Sequence, residues 1–172
     1  ANITQRNSRV FEIVDQLQQS MVNNLALSYV AQEQFDELDP FVDDTDQPYF
    51  DPENVYFYGI SGGAILGGVF VALSDRIERA TFASGGGSFA FLTSRAGPFQ
   101  QLLTFISSEV PDPLDTQNYL ARSATSLDRA DPLPYAPLMF DEPLDGTPEE
   151  RRIFMYTGTG DTFVPNLGTH VH

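Results

Sequence analysis

A serine flanked by glycines lies between a short apolar run and a helix-forming run, and this arrangement constrains the fold most. Residues 54–58 (Asn-Val-Tyr-Phe-Tyr) are rich in aromatic side chains and predict a buried strand. The turn Gly-Ile-Ser-Gly-Gly follows at residues 59–63, and residues 64–73 predict a helix with small side chains on one side. A strand that turns directly into a helix is typical of α/β proteins with a parallel sheet.

Ser61 is the candidate nucleophile of this turn. Residues 59–63 fit the pattern G-x-S-x-G, in which a sharp, strained turn after a strand exposes a serine hydroxyl above the sheet edge. Gly59 and Gly63 are expected to meet the steric demand of such a turn for minimal side chains. The helix that follows directs its first amides toward the same point. The Gly62 amide is therefore the candidate oxyanion donor for a carbonyl attacked by Ser61.

Two other interpretations of the glycine-rich turn stay open. It fits a closely packed connection with no chemistry, or a loop that cradles a phosphate. A nucleotide-binding P-loop needs Gly-Lys-Ser or Gly-Lys-Thr, and the chain contains no lysine. A dinucleotide-binding fingerprint fails as well, because Ser61 stands where the second glycine belongs. Strand and helix on either side favour the nucleophile interpretation.

Asp161 is the candidate acid of a catalytic triad. In hydrolases that carry the nucleophile in a G-x-S-x-G turn, the chain order is Ser, then Asp or Glu, then His, and the acid follows a later buried strand. Residues 152–157 predict such a strand, and the turn Gly-Thr-Gly leads from it to Asp161. A carboxylate there would orient a histidine and stabilise its imidazolium form. The alternative is an aspartate that only stabilises a turn or caps the next helix.

The remaining periodicity predicts one α/β domain that spans residues 1–172. An amphipathic helix is predicted over residues 4–34, a further strand over residues 77–83, and two helices near residues 99–108 and 116–127. Strands that alternate with helices favour a parallel sheet whose faces are covered by flanking helices.

Composition excludes several classes of function. The net charge is −15 and all nine basic residues are arginine, so no basic patch is expected to bind nucleic acid or an anionic membrane. Without cysteine, the chain has no disulfide, zinc–thiolate site or cysteine nucleophile. No apolar run approaches the ~18 residues of a membrane span. Six aspartates crowd the proline-rich residues 36–53, and a solvated acidic loop is favoured there over a calcium site, since the pattern lacks the glycine and distal glutamate of an EF-hand.

Two segments resemble serine esterases and lipases of the α/β-hydrolase superfamily. These are residues 58–65 (Tyr-Gly-Ile-Ser-Gly-Gly-Ala-Ile) and residues 158–166 (Gly-Thr-Gly-Asp-Thr-Phe-Val-Pro-Asn). The stretch from the acidic loop to Asn166 is more loosely similar to large exported bacterial hydrolase-like proteins, which suggests export. The resemblance implies that residues 89–144 form a helical cap, with an apolar acyl pocket offered by Phe91, Leu92, Phe99, Leu103 and Phe105.

The resemblance also implies that the chain is the C-terminal part of a larger α/β-hydrolase fold. Further strands and a glycine-rich oxyanion loop are expected upstream. The histidines available are His170 and His172, closer to Asp161 than is usual, so His170 is a weak candidate for the catalytic base. The exposed edge of the nucleophile strand is expected to be covered by the rest of the hydrolase, by a partner chain or by the N-terminal segment.

The function predicted from the sequence is hydrolysis of a carboxylic ester, from a small molecule or lipid, without a cofactor. Ser61 would attack the ester carbonyl, and a histidine oriented by Asp161 would carry the proton. The alternative is a non-catalytic binding or scaffold module that retains the hydrolase fold. The incomplete triad favours this alternative.

Overall fold

Three parallel strands form one sheet at the centre of the fold. The computed structural model describes the backbone of residues 3–172 and the side chains of residues 11–172. The strands run in the order β1-β2-β3, and their bounds are Phe57–Ile60, Arg79–Ala83 and Arg152–Tyr156. Both neighbouring pairs are parallel. This confirms the prediction of a parallel sheet.

Seven α-helices surround or extend from this sheet within the described residues. In chain order α1 to α7, they are Ile3–Glu33, Gly62–Leu73, Phe89–Arg95, Gln100–Glu109, Pro113–Ala124, Pro137–Phe140 and Asn166–Val171. The long first helix, the helix after Ser61 and the two helices between β2 and β3 agree with the periodicity of the sequence. The short helices α3, α6 and α7 were not predicted.

The first strand lies closer to Ser61 than its aromatic residues predicted. Strand β1 begins at Phe57, whereas the apolar run begins at residue 54. The Asp51 carboxylate accepts hydrogen bonds from the Glu53 amide and the Asn54 side chain, which holds that segment in a turn. Pairing with β2 begins at the register partners Phe57 and Ala80. Cross-strand pairing, rather than local composition, therefore determines where the strand begins.

The main core lies between α2 and one face of the sheet. Its fully buried members include Phe82 and Ile77 from the β2 region and Val69 and Val71 from α2. Met21 of α1 packs into the same cluster. Small residues bring α2 close to the strands, since a Cβ at Gly67 would collide with the ring of Phe57. The small-residue face predicted for this helix is its contact with the sheet.

The opposite face of the sheet is not covered by any described residue. Large side chains from β1 and β3 alternate onto this face and remain exposed: Tyr58 by 57%, Ile60 by 60%, Phe154 by 64% and Tyr156 by 45%. The expectation that both faces are covered is therefore wrong for this part of the chain. Helices flank one face only, because the connections between the strands all pack on the side of α2 and its neighbours.

The outer edge of β1 has no strand beside it within residues 3–172. The N-terminal segment does not satisfy this edge, since α1 is helical from Ile3 to Glu33 and packs against α2. The expectation that the N-terminal segment covers the edge is therefore wrong. Covering by another polypeptide stays a prediction.

Residues 89–144 are largely helical, as the proposed cap requires, but they do not form a separate layer throughout. Met139 of α6 is buried in the main core, and Tyr135 and Leu138 pack against the same cluster. The end of this segment therefore serves as part of the crossover from β2 to β3. Arg151 completes that crossover: its buried guanidinium donates to the backbone carbonyls of Ser74 and Ile77.

The acidic loop uses its carboxylates to stabilise itself. The Asp43 carboxylate accepts hydrogen bonds from the Thr45 amide and hydroxyl and from the Gln47 amide, at 2.7 to 3.0 Å. The Thr45 hydroxyl is the main cause that lowers the pKa of Asp43. The Phe35 and Phe41 rings stack on each other, and the Phe50 ring contacts both of them edge-on. Among the described residues, no group of three or more histidine, aspartate or glutamate side chains is arranged to hold a metal ion.

Candidate functional site

Ser61 adopts a strained backbone conformation at the carboxyl end of β1. Its φ is 52° and its ψ is −118°, a region that L-residues rarely occupy. The Ser61 amide donates to the Ala83 carbonyl of β2 at 2.9 Å, and the Ser61 carbonyl accepts from the amides of Ala64 and Ile65. The residue is thus held on one side by the sheet and on the other by α2. Strain held in this way is typical of functional turns.

Glycine is required on one side of the serine but not on the other. A Cβ at Gly59 would collide with the backbone carbonyl of Gly63, so the expectation for Gly59 is confirmed. A Cβ at Gly63 would meet no atom within 4 Å, so the steric argument for Gly63 is wrong. The backbone that follows β2 also lies close to the start of α2, since a Cβ at Gly85 would lie 2.8 Å from the Cβ of Ala64.

The Ser61 side chain is exposed and is not used to cap α2. Ser61 is the N-cap residue of the helix, yet its hydroxyl accepts no hydrogen bond from the helix amides. A serine at this position ordinarily makes such a bond. Gly62 is the first residue of α2, where backbone N–H groups lack an intrahelical acceptor. Within the described residues, the Ser61 hydroxyl therefore forms no capping hydrogen bond and lies beside the first amides of α2, at the positive end of the helix dipole.

Asp161 lies in the turn that follows β3, at the same edge of the sheet as Ser61. One carboxylate oxygen accepts hydrogen bonds from the Phe163 amide at 2.8 Å and the Val164 amide at 3.0 Å. The Val164 amide is the main cause that lowers the pKa of Asp161; partial burial opposes it, and the Phe163 amide and the Ser84 hydroxyl add smaller contributions. The side chain is therefore an anion at neutral pH. Its hydrogen bonds to these two amides also fit the alternative interpretation, in which the aspartate stabilises a turn.

The residue that sequence analysis missed at this edge is Ser84. It follows β2 directly, has a φ of 49°, and donates its amide to the Tyr156 carbonyl of β3 at 2.8 Å. Its hydroxyl contributes to the low pKa of Asp161. The signal was present, because Ser84 follows a strand and precedes three glycines, much as Ser61 precedes two.

Ser61 and Asp161 follow two strands that are separated by β2. Ser61 comes directly after β1, and Asp161 lies in the turn after β3, so both residues lie at the carboxyl edge of the sheet. A triad of the predicted kind would need a histidine between the two side chains.

The structure does not bring either histidine into that space. His170 is exposed on α7 and has no hydrogen bond to Ser61 or Asp161 among the described side chains. His172 lies in the core, stacked on Phe82 with ring centroids 5.8 Å apart. Burial lowers its pKa, and neither ring nitrogen has a hydrogen-bond partner within the described part of the chain. Among the side chains of residues 11–172, no histidine is placed to act as the base of the predicted triad.

A small apolar cluster lies beside the candidate site. Leu92 of α3 packs with Ile65 of α2 and with Val164, which follows Asp161 in the turn, and the Phe99 ring packs against the same cluster. Two of the residues expected to offer an acyl pocket, Leu92 and Phe99, therefore lie near the first turn of α2. Phe105 is farther out and 42% exposed.

Comparisons with known proteins add no further assignment: no family model, curated protein or solved structure matches the chain at a significant level. No helix in residues 3–172 is long and apolar enough to cross a membrane.

Proposed function

We propose that the protein is a serine hydrolase that acts on carboxylic esters, with Ser61 as its nucleophile. The observation that carries the proposal is the backbone of Ser61, which holds a positive φ between a parallel strand and a helix while its hydroxyl makes no capping hydrogen bond to that helix. A serine that only connects two elements gains nothing from this strain and would cap the helix. The conformation supports a role for the hydroxyl itself.

The proposed reaction uses groups at the carboxyl edge of the sheet. The Ser61 oxygen attacks the ester carbonyl carbon, its proton passes to a histidine supplied from outside the described site, and the resulting oxyanion accepts a hydrogen bond from the Gly62 amide. The same histidine then returns the proton to the departing alkoxide, and water releases the acid from Ser61. Asp161 holds that histidine in the required tautomer. No cofactor takes part in these steps.

A fluorophosphonate probe tests this proposal on the full-length protein. Such probes form a covalent bond to an activated serine, and peptide mass spectrometry identifies the residue that carries the label. Ser61 is expected to be labelled, and Ser61→Ala is expected to abolish both labelling and hydrolysis of a p-nitrophenyl ester. Ser84→Ala is the matched control, because Ser84 also follows a strand and has a positive φ. Labelling at Ser84, or an active protein without a label on Ser61, contradicts the proposal.

A second candidate function is a binding module that retains the hydrolase fold without catalysis. The observation in its favour is the position of the two histidines: His170 is exposed on α7, and the His172 ring is stacked on Phe82. Such a module would leave Ser61 unreactive toward the probe and p-nitrophenyl esters intact. Turnover that depends on Ser61 decides against it.

A further inference from the structure

The uncovered face of the sheet forms a groove along the strands. Its walls are aromatic side chains of β3 and of the segment formed by Tyr56 and β1, and its floor is β2, which contributes the smaller Thr81. We name this surface the sheet groove and define it by Tyr56, Tyr58, Thr81, Phe154 and Tyr156. It lies on the opposite face from α2, and its open half lies at the amino ends of the strands, away from Ser61.

The sheet groove runs between side chains that stand on two strands separated by β2. The axes of these strands are two spacings apart, roughly 10 Å. At one end the Tyr58 and Tyr156 hydroxyls are hydrogen-bonded at 2.8 Å across β2. The open half forms a depression of about 400 Å³ between Tyr56 and Phe154.

Two arginines close the other end of this depression. Arg79 and Arg152 are register partners on neighbouring strands, so their like charges lie side by side. Such a pair is unfavourable without a counter-charge. Arg152 has only a loose ion pair with Glu150, in which both side chains are mostly exposed. Arg79 lies over the Tyr56 ring at 5.3 Å and forms no ion pair within the described residues.

We propose that the sheet groove binds an amphipathic helix of a partner polypeptide, with an apolar stripe between the aromatic walls and carboxylates facing Arg79 and Arg152. Parallel sheets are ordinarily buried on both faces, and this one carries large apolar side chains on its bare face. Helices are the usual covering of the faces of a parallel sheet. The arginine pair determines the charge that the helix presents.

Other occupants fit these observations less well. Ligand pockets enclose most of a small molecule, whereas this depression is shallow and the large side chains around it are about half exposed. A second copy of the chain would bring another charge of −15 toward the first. A helix with a few carboxylates at one end would cover the exposed aromatic side chains and neutralise the local positive charge.

Two synthetic helices test the proposal on the protein. Each is an 18-residue peptide of alanine, glutamine and leucine, with leucines at i, i+3, i+4 and i+7 spacing; one ends in two glutamates and the other in two lysines. Binding is measured by fluorescence anisotropy at ~150 mM salt, where charges beyond about 8 Å are largely screened. We expect the glutamate peptide to bind at least tenfold more tightly. The comparison is stringent, because the net charge of −15 favours the lysine peptide.

Substitutions at the groove assign the binding to it. Arg79→Gln with Arg152→Gln is expected to weaken the glutamate peptide at least tenfold, and the double change to glutamate is expected to reverse the preference. Exposed Arg95 and Arg122, on α3 and α5, provide a matched control pair whose change to glutamine leaves both affinities unaltered. Phe154→Ser is expected to weaken both peptides.

Three results would overturn the proposal: equal affinity for the two peptides, no binding of either, or equal loss in the control pair. Sedimentation equilibrium tests whether two copies of the chain associate. A dimer that dissociates in the Phe154→Ser variant would assign the groove to self-association instead.

Discussion

The Ser61 amide donates a hydrogen bond of 2.9 Å to the Ala83 carbonyl, one residue beyond the end of β1. The parallel ladder therefore continues into the turn and holds the serine where its backbone is strained. On the other side, α2 begins at the next residue, and the serine hydroxyl makes no capping hydrogen bond to its amides. Sheet and helix together maintain a conformation that Ser61 would not adopt by itself.

Replacement of Ser61 by glycine is expected to stabilise the protein by about 1 kcal/mol, because glycine adopts a positive φ without steric cost. Ser61→Ala removes the same hydroxyl but keeps the strained Cβ, so it is expected to leave the free energy of unfolding nearly unchanged. Urea denaturation of the two variants and the wild type measures the difference. Equal stability of the glycine and alanine variants would show that the turn stores no strain.

Replacement of Gly59 by alanine is expected to lower the free energy of unfolding by about 2–3 kcal/mol, since its Cβ would collide with the backbone of Gly63. Gly63→Ala is the matched control, because a Cβ there meets open space, and alanine is favoured in a helix by up to about 1 kcal/mol. Thermal denaturation distinguishes the two variants. A Gly63→Ala variant as unstable as Gly59→Ala would contradict the described turn.

The pKa of Asp161 is expected to lie below its ordinary value, because the Val164 amide and then the Phe163 amide and the Ser84 hydroxyl stabilise the carboxylate. A carboxyl with a lower pKa in the folded state stabilises the fold above its unfolded pKa and loses this contribution as pH falls through the folded pKa. The contribution is therefore present at neutral pH and is lost below about pH 4. Carboxyl NMR titration measures the pKa, and Asp161→Asn should reduce the acid dependence of stability. A titration midpoint above the ordinary value would refute the described turn.

Arg151 and Arg152 are expected to respond very differently to replacement by lysine. The Arg151 guanidinium is buried and donates from two nitrogens to the carbonyls of Ser74 and Ile77, while burial lowers its pKa. A lysine cannot reproduce this fork, so Arg151→Lys should cost about 2–3 kcal/mol of stability. Exposed Arg152→Lys should cost less than about 0.5 kcal/mol. Urea denaturation measures both, and a similar cost at the two positions would contradict this account.

Much of the secondary structure and the serine turn could be predicted from the sequence because they depend on local chemistry. The period of apolar residues marks α1, and the two central helices were placed within a few residues of their observed bounds. The backbone of Gly63 approaches position 59 too closely for a Cβ, and the sequence shows this requirement directly as a glycine two positions before Ser61. Strand boundaries were less accurate, since pairing with β2 rather than composition determines where β1 begins.

The contacts that join distant segments were decided only by the tertiary structure. Ser84 beside Asp161, Arg151 on the carbonyls of the α2–β2 loop, and the buried position of His172 all depend on residues far apart in the chain. The bare face of the sheet was also hidden from the sequence, because an aromatic residue in a strand looks the same whether its side is covered or open. Local periodicity determined which segments became strands and helices; the packing of those segments determined which faces were buried and which side chains meet at the candidate site.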